Sequence, residues 1–199
     1  MAGKLTFWFE LASTYTYLSA MRIDAMAEDA GVEVIWRPVP LGPIFGGQGW
    51  DTSPFNIYPA KGRYMWRDME RLCAARGLPF AKPDPFPQNS IHAARVALAA
   101  LETNKGRAFC KAVYTAQFAR GANIAERAVL EAALIEVGLP ADLVEAAADS
   151  ARKAELKACS IEAAELGLFG APSFTVGDEL YWGDDRLEEA LAFAAAQPA

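Results

Sequence analysis

A chain of 199 residues is long enough for one domain, or one domain carrying an insertion, and can bury a full core without disulfides or metals. Its residues are 53% hydrophobic and 22% charged, close to globular averages, which excludes a disordered or fibrous chain. The net charge of −6 gives no overall basic footprint for a nucleic-acid duplex, and no apolar run approaches the roughly 18–20 residues that span a bilayer.

The chain opens with Lys4, an apolar run at 5–9 and then Glu10. That is too short and too soon charged for a secretory segment, so a cytoplasmic location is expected. Residues 5–9, Leu-Thr-Phe-Trp-Phe, are β-prone and predict a strand. Residues 13–30 predict a helix, with small hydroxyl residues at its start and Gly31 at its end. A second strand is expected at 32–36, stopped by Pro38 and Pro40. A βαβ opening of this kind makes the two strands parallel. Residues 41–60, rich in glycine and proline, predict a loop. Helical patterns follow at about 61–76, 89–104, 106–120, 125–136, 141–148 and 151–166. The end returns to β: 173–176 and 179–182 are joined by a two-residue turn, Gly177-Asp178. A last helix is expected from Asp184 or Asp185 to about 195.

A sheet split by a helical block is one sheet only if the two chain ends meet in space. A lone βαβ unit and a lone ββα unit of these lengths are each too small to fold well. The order therefore predicts an α/β, thioredoxin-like fold with a large all-helical insertion. The thioredoxin-like domain is expected at 1–42 and 150–199, discontinuous, and the insertion at 43–149. Cys73, Cys110 and Cys159 are odd in number, far apart and in no CxxC pair. They suggest neither a disulfide framework nor a metal site, and read as small buried hydrophobes.

In such a fold the redox CxxC sits where strand 1 meets helix 1, and the helix start lowers a cysteine pKa. Here the two positions are Ser13 and Thr16. Hydroxyls form no disulfide, so thiol–disulfide exchange by this pair is excluded. Ser13 or Thr14 is either a helix N-cap or a hydroxyl that steadies an anion, such as a thiolate carried by a ligand. Pro172, just before a strand that follows a helix, matches the cis proline that faces that junction in these folds. The residue before it, Ala171, would offer its backbone to an extended thiol peptide. Asp184 and Asp185 either suit the start of the last helix or hold an amino group.

Taken together, the motifs resemble the 2-hydroxychromene-2-carboxylate isomerase family, relatives of the kappa-class glutathione transferases in the DsbA-like thioredoxin group. The family opening Ser-Pro-Tyr-Ser-Tyr-Leu reads here Ser13-Thr14-Tyr15-Thr16-Tyr17-Leu18. Its Pro-Ala-Lys-Arg-Arg-Tyr-Met pattern reads Pro59-Ala60-Lys61-Gly62-Arg63-Tyr64-Met65. Phe86-Pro87-Gln88-Asn89, the Gly170 to Phe174 segment, Val176-Gly177-Asp178 and Trp182-Gly183-Asp184-Asp185-Arg186-Leu187 complete the match. Thr14 replaces the usual proline, and Gly62 a basic residue.

The resemblance implies glutathione as cofactor and a small aromatic acid as substrate, with cis–trans isomerisation as the reaction. It implies Ser13 as the catalytic hydroxyl that stabilises the glutathione thiolate. Ala171 and Pro172 would hold the cysteinyl part, and Asp185, with Asp184 beside it, the glutamyl amino group. Asn56 and Lys61 would bind glutathione or a substrate carboxylate, and Tyr64, Arg67 and Asn89 would contact substrate. Two other readings stay open: a kappa-type transferase that consumes glutathione, and a redox-inactive glutathione- or peptide-binding protein. The aromatic residues Phe45, Trp50, Phe55 and Tyr58 either line an aromatic-substrate pocket or pack in a loop. His92, the single histidine, reads as a helix residue rather than a base or metal ligand. A homodimer is compatible with the composition.

Overall fold

The structure is a computed structural model that describes residues 3–197. Strand β1 (Gly3–Phe9) pairs in parallel with β2 (Val32–Pro38) across Leu5↔Val34 and Phe7↔Trp36. From the far end of the chain, β3 (Ser173–Val176) lies antiparallel to β1, and β4 (Glu179–Trp182) antiparallel to β3. The chain ends therefore meet in one four-stranded sheet, β2-β1-β3-β4. Val176 and Glu179 are paired, so Gly177-Asp178 is the expected two-residue turn, with Gly177 at φ +56°.

Between β1 and β2 the expected single helix is two. α1 (Thr14–Ala20) and α2 (Ile23–Ala30) are separated at Met21 and Arg22. The break has no Gly or Pro. Arg22 is instead drawn away to Asp184, whose backbone carbonyl accepts from its guanidinium at 2.7 Å. Residues 41–60 also depart from the expected loop: they contain α3 (Leu41–Gly47) and α4 (Pro54–Ile57), and α5 (Pro59–Ala75) already begins there. Pro54 and Pro59 sit at first helical positions, where the missing N–H costs nothing.

The helical middle continues with α6 (Ile91–Leu101), α7 (Gly106–Phe118), α8 (Arg127–Glu136), α9 (Leu143–Ala146) and α10 (Ser150–Glu165). After β4, a single 3₁₀ turn (Asp184–Arg186) leads into α11 (Leu187–Ala196). One buried cluster runs from Leu5, Phe7 and Phe9 on the sheet through Tyr17 to Phe109, Tyr114 and Phe118 of α7. Tyr17 and Phe118 stack at 5.5 Å, and the Tyr114 hydroxyl donates to the Glu10 carbonyl at 3.0 Å. The helical block is thus packed onto the end of β1, where the site lies. A smaller cluster of Trp8, Val39, Ala163 and Leu168 lies apart from it. All three cysteines are free and buried. Among the described residues no helix is long and apolar enough to cross a membrane.

Candidate active site

A single cleft of about 1520 Å³ opens where β1, the cis-proline loop and the helical middle converge. That exceeds the roughly 300–1,000 Å³ of a site for one drug-sized ligand. Its centre is Ser13, the N-cap of α1. The Ser13 oxygen accepts from the Thr16 N–H at 3.4 Å, while its hydroxyl donates to the Ala171 carbonyl at 3.1 Å. The Ala171–Pro172 bond is cis. Both readings of Ser13 hold at once: the oxygen caps the helix, and the hydroxyl proton faces the proline loop. Thr16, by contrast, is fully buried, and its hydroxyl oxygen meets no partner.

Beneath Ser13 lies Glu10, only 7% exposed. Its carboxylate oxygens accept from the backbone N–H groups of Ala12 (3.1 Å) and Leu41 (3.0 Å). Burial pushes its pKa up, and bonds from Ser90, Ala12 and Leu41 oppose that rise. Two residues past Ser13, the Tyr15 hydroxyl donates to Asp68 at 3.0 Å; burial and then Asp68 raise its pKa, so it stays protonated. Neither Glu10 nor Tyr15 was singled out from the sequence, although an acid closing an apolar strand was a readable signal for the first.

The cleft brings together nearly all the residues singled out in advance: Ser13, Asn56, Lys61, Tyr64, Asn89, Ala171, Pro172, Asp184 and Asp185 line it. Asn56 ties α4 to the proline-rich loop, donating to the Phe86 carbonyl at 3.1 Å. Lys61 reaches over the Tyr58 ring at 5.4 Å. Asn89 accepts from the Ile91 N–H at 3.1 Å, at the start of α6. Arg67 is the exception. It is absent from the lining and pairs with Glu70 one turn away at 2.6 Å, on the exposed side of α5.

The two adjacent acids part company. Asp185 is 73% exposed in its side chain and pairs with Arg186 at 3.1 Å. Asp184 is 5% exposed, and its carboxylate accepts from Ser19 (2.9 Å), Arg22 (3.2 Å) and Arg76 (2.6 Å). With three donors in place, Asp184 has little left for a ligand's amino group. Its evident work is to anchor the turn that carries Asp185. Gly183 precedes them at φ +113°, and a Cβ there would stand 2.5 Å from an Asp185 carboxylate oxygen. Trp182 and Phe169 meet edge to face at 4.9 Å on the rim. Phe45, Trp50 and Phe55 line the other side, so those three face the cleft; Tyr58 carries Lys61 instead.

A four-stranded sheet closed by both chain ends, with a capped helix start facing a cis proline, defines a thioredoxin-fold protein whose junction carries hydroxyls. The chain belongs to the DSBA-like thioredoxin domain family, which matches residues 4–193. It is 29% identical over 191 residues to a 2-hydroxychromene-2-carboxylate isomerase of Sphingobium xenophagum, covering 94% of this chain and 96% of that one. A solved 2-hydroxychromene-2-carboxylate isomerase superposes with a TM-score of 0.83 at 22% identity, covering 92% and 90% of the two chains. The cytosolic disulfide reductase DsbM of Pseudomonas aeruginosa, solved with glutathione, gives 0.65 at 21% identity, covering 96% of each.

Proposed function

We propose that this protein is a glutathione-dependent cis–trans isomerase of 2-hydroxychromene-2-carboxylate or a similar aromatic-degradation intermediate. The observation that carries the reading is the Ser13 hydroxyl, anchored by the Thr16 N–H and aimed at Ala171 beside the cis Pro172. Relatives at 22–29% identity over nearly the full length are 2-hydroxychromene-2-carboxylate isomerases, which supports the reading.

The residues present fit a thiol tripeptide. The Ala171 N–H donates to no group among the described residues, so an extended cysteinyl segment can pair with it. The Ser13 oxygen stays fixed by Thr16 while its single proton turns from the Ala171 carbonyl to a sulfur seated there. Asp185, exposed and paired only with the exposed Arg186, is accessible to an ammonium, and Lys61 offers a carboxylate partner on the α4–α5 side. The aromatic wall of Phe45, Trp50 and Phe55 suits a planar substrate, and the cleft has room for two ligands.

When bound, glutathione supplies a thiolate that adds reversibly to the conjugated carbon of the substrate, so the former double bond turns as a single bond and the thiolate leaves unchanged. Ser13 would hold that sulfur as an anion before it adds and again after it leaves. The protein gives up no electrons and donates no group, consistent with a site that lacks a thiol of its own.

The test is to incubate the protein with the chromene carboxylate with and without glutathione, following substrate, product and free thiol. Interconversion that needs glutathione and leaves its amount unchanged supports the proposal. Loss of free thiol into a conjugate identifies a transferase instead. Failure of millimolar glutathione to bind in calorimetry sinks the reading.

A further inference from the structure

The helix α4 is a single turn with no buried residue, yet it carries Phe55 and Asn56 to the cleft. Its seat is the first turn of α5. Gly62, buried in that turn, faces the main chain of α4: a Cβ built on it would stand 2.3 Å from the Phe55 carbonyl oxygen. The obstacle is backbone, so no change of rotamer relieves it. A side chain at 62 has to push α4 off α5. The two helices reach backbone contact only because position 62 has none.

The same face of α5 also seats the start of α1. Gly62, Met65 and Met69 follow one another along its buried stripe. Thr14, next to Ser13, donates its hydroxyl to the Met65 sulfur at 3.3 Å. Tyr15 meets the Phe55 ring at 6.4 Å and donates to Asp68 of α5 at 3.0 Å. The helix that Ser13 caps and the turn that bears Phe55 are thus both positioned by one rigid helix. Thr14 and Gly62, the two replacements within the sequence motifs, both bear on this seat.

We propose that Gly62 is a specificity-determining residue: by letting α4 rest on α5 it sets where the Phe55 ring stands relative to the Ser13 hydroxyl, and so selects planar aromatic substrates. The proposal rests on the reading of the cleft as a glutathione-dependent isomerase site. In that reading the sulfur is held at Ser13 and the substrate ring lies on the aromatic wall. The spacing of these two supports decides which ring system reaches the thiolate. Gly62 touches no ligand and acts through Phe55.

The experiment is a double-mutant cycle on the whole protein at saturating glutathione, with the chromene carboxylate as substrate. Its members are wild type, Gly62→Ala, Phe55→Leu and the pair. Phe55→Leu removes an aromatic contact and should raise KM about 3–10-fold with kcat little changed. Gly62→Ala should raise KM by about the same factor, because it displaces the same ring. With no buried residue on α4, that displacement leaves the core intact. The pair should be no worse than the worse single variant, whereas independent sites would multiply to about 10–100-fold. The titration of the bound thiol should match wild type throughout, because Ser13 keeps Thr16 and Ala171 as partners. Multiplying effects, a wild-type KM in Gly62→Ala, or a shifted thiol titration in that variant overturns the inference. Phe55→Leu gives a check that does not depend on how Gly62→Ala folds: if its KM is unchanged, the ring supports no substrate and Gly62 has nothing to position. If wild type neither binds glutathione nor turns over the chromene, the inference falls together with the proposed function. Normal wild-type turnover with unaffected variants removes the inference alone.

Discussion

Replacing Ser13 by Ala removes one hydroxyl from a site whose other parts stay in place. The Ser13 oxygen is held by Thr16, and its proton is shared with Ala171. A free thiol of pKa ~8.5 is only about 3% thiolate at pH 7. A hydrogen bond to a charged acceptor contributes about 1.5–3 kcal/mol, and one pKa unit corresponds to about 1.4 kcal/mol. The hydroxyl therefore lowers the bound thiol by about 1–2 units, and the start of the short helix α1 adds a few tenths of a kcal/mol more. Ser13→Ala should return that share. At pH 7 the thiolate fraction, and with it glutathione-dependent turnover, drops about 8–25-fold. The deficit should shrink toward nothing as pH rises above the thiol's own pKa, because hydroxide then does the work of the serine. Ultraviolet absorbance of the bound thiolate and turnover, both followed against pH, read the two quantities independently. The lost cap costs about 0.5–2 kcal/mol, so a modest fall in thermal midpoint accompanies the change. An unchanged thiol titration, or a rate deficit that is the same at every pH, refutes the assignment.

Four further outcomes are expected. Gly183→Ala forces a side chain into φ +113° and against the Asp185 carboxylate, so it should cost about 1–3 kcal/mol in thermal or denaturant unfolding and weaken glutathione binding in the same preparation. Glu10 has its folded pKa raised above 4.5. The folded state therefore holds its proton longer than the unfolded chain, and stability from this group falls as pH rises from about 4.5 through the folded pKa. Glu10→Gln should flatten that part of the melting-temperature profile; an unaltered slope shows that another group titrates there. Lys61→Ala should raise KM for the carboxylate substrate about 10-fold with kcat little changed, the mark of uniform binding. Burial pushes the Cys73 thiol up to about 11, so alkylating reagents should label no cysteine of the native protein, by intact mass, until it is unfolded.

The sheet was legible because its signals are local. Alternating or continuous β-prone runs, Gly31 after a helix and Gly177-Asp178 between two strands each act over a few residues. The cleft was legible in outline because Ser13 and Pro172 hold fixed places in the element order. The parts that were missed depend on long-range contacts. Nothing within α1–α2 foretells the break at Arg22, which is made by Asp184, 162 positions away. Likewise two adjacent acids look equivalent in a sequence. Only the arrival of Ser19, Arg22 and Arg76 from other elements turns Asp184 into an anchor and leaves Asp185 exposed. Arg67 was misplaced by helix phase: a residue on α5 can face the cleft or solvent, and Arg67 finds Glu70 on the outer side. The helices α3 and α4 were hidden by their own glycines and prolines. Ser53 before Pro54 was a cap signal that could have revealed the second.

The two hydroxyls at the junction are not equivalent, and their difference bears on the kind of chemistry the fold can host here. In a dithiol site the second sulfur must reach the first to close a disulfide. Thr16 is fully buried and its oxygen has no partner at all, whereas Ser13 faces the cleft. An unsatisfied buried hydroxyl costs about 1–3 kcal/mol, so Thr16 is an expense with no apparent return in hydrogen bonding. Thr16→Val is close in shape and carries no such group. It should stabilise the fold by up to that amount in chemical denaturation and leave glutathione binding unchanged. If instead binding or turnover collapses while the fold holds, Thr16 takes part in the site through a conformation other than the one described. The simple division, with Ser13 for the ligand and Thr16 for the core, would then have to be given up.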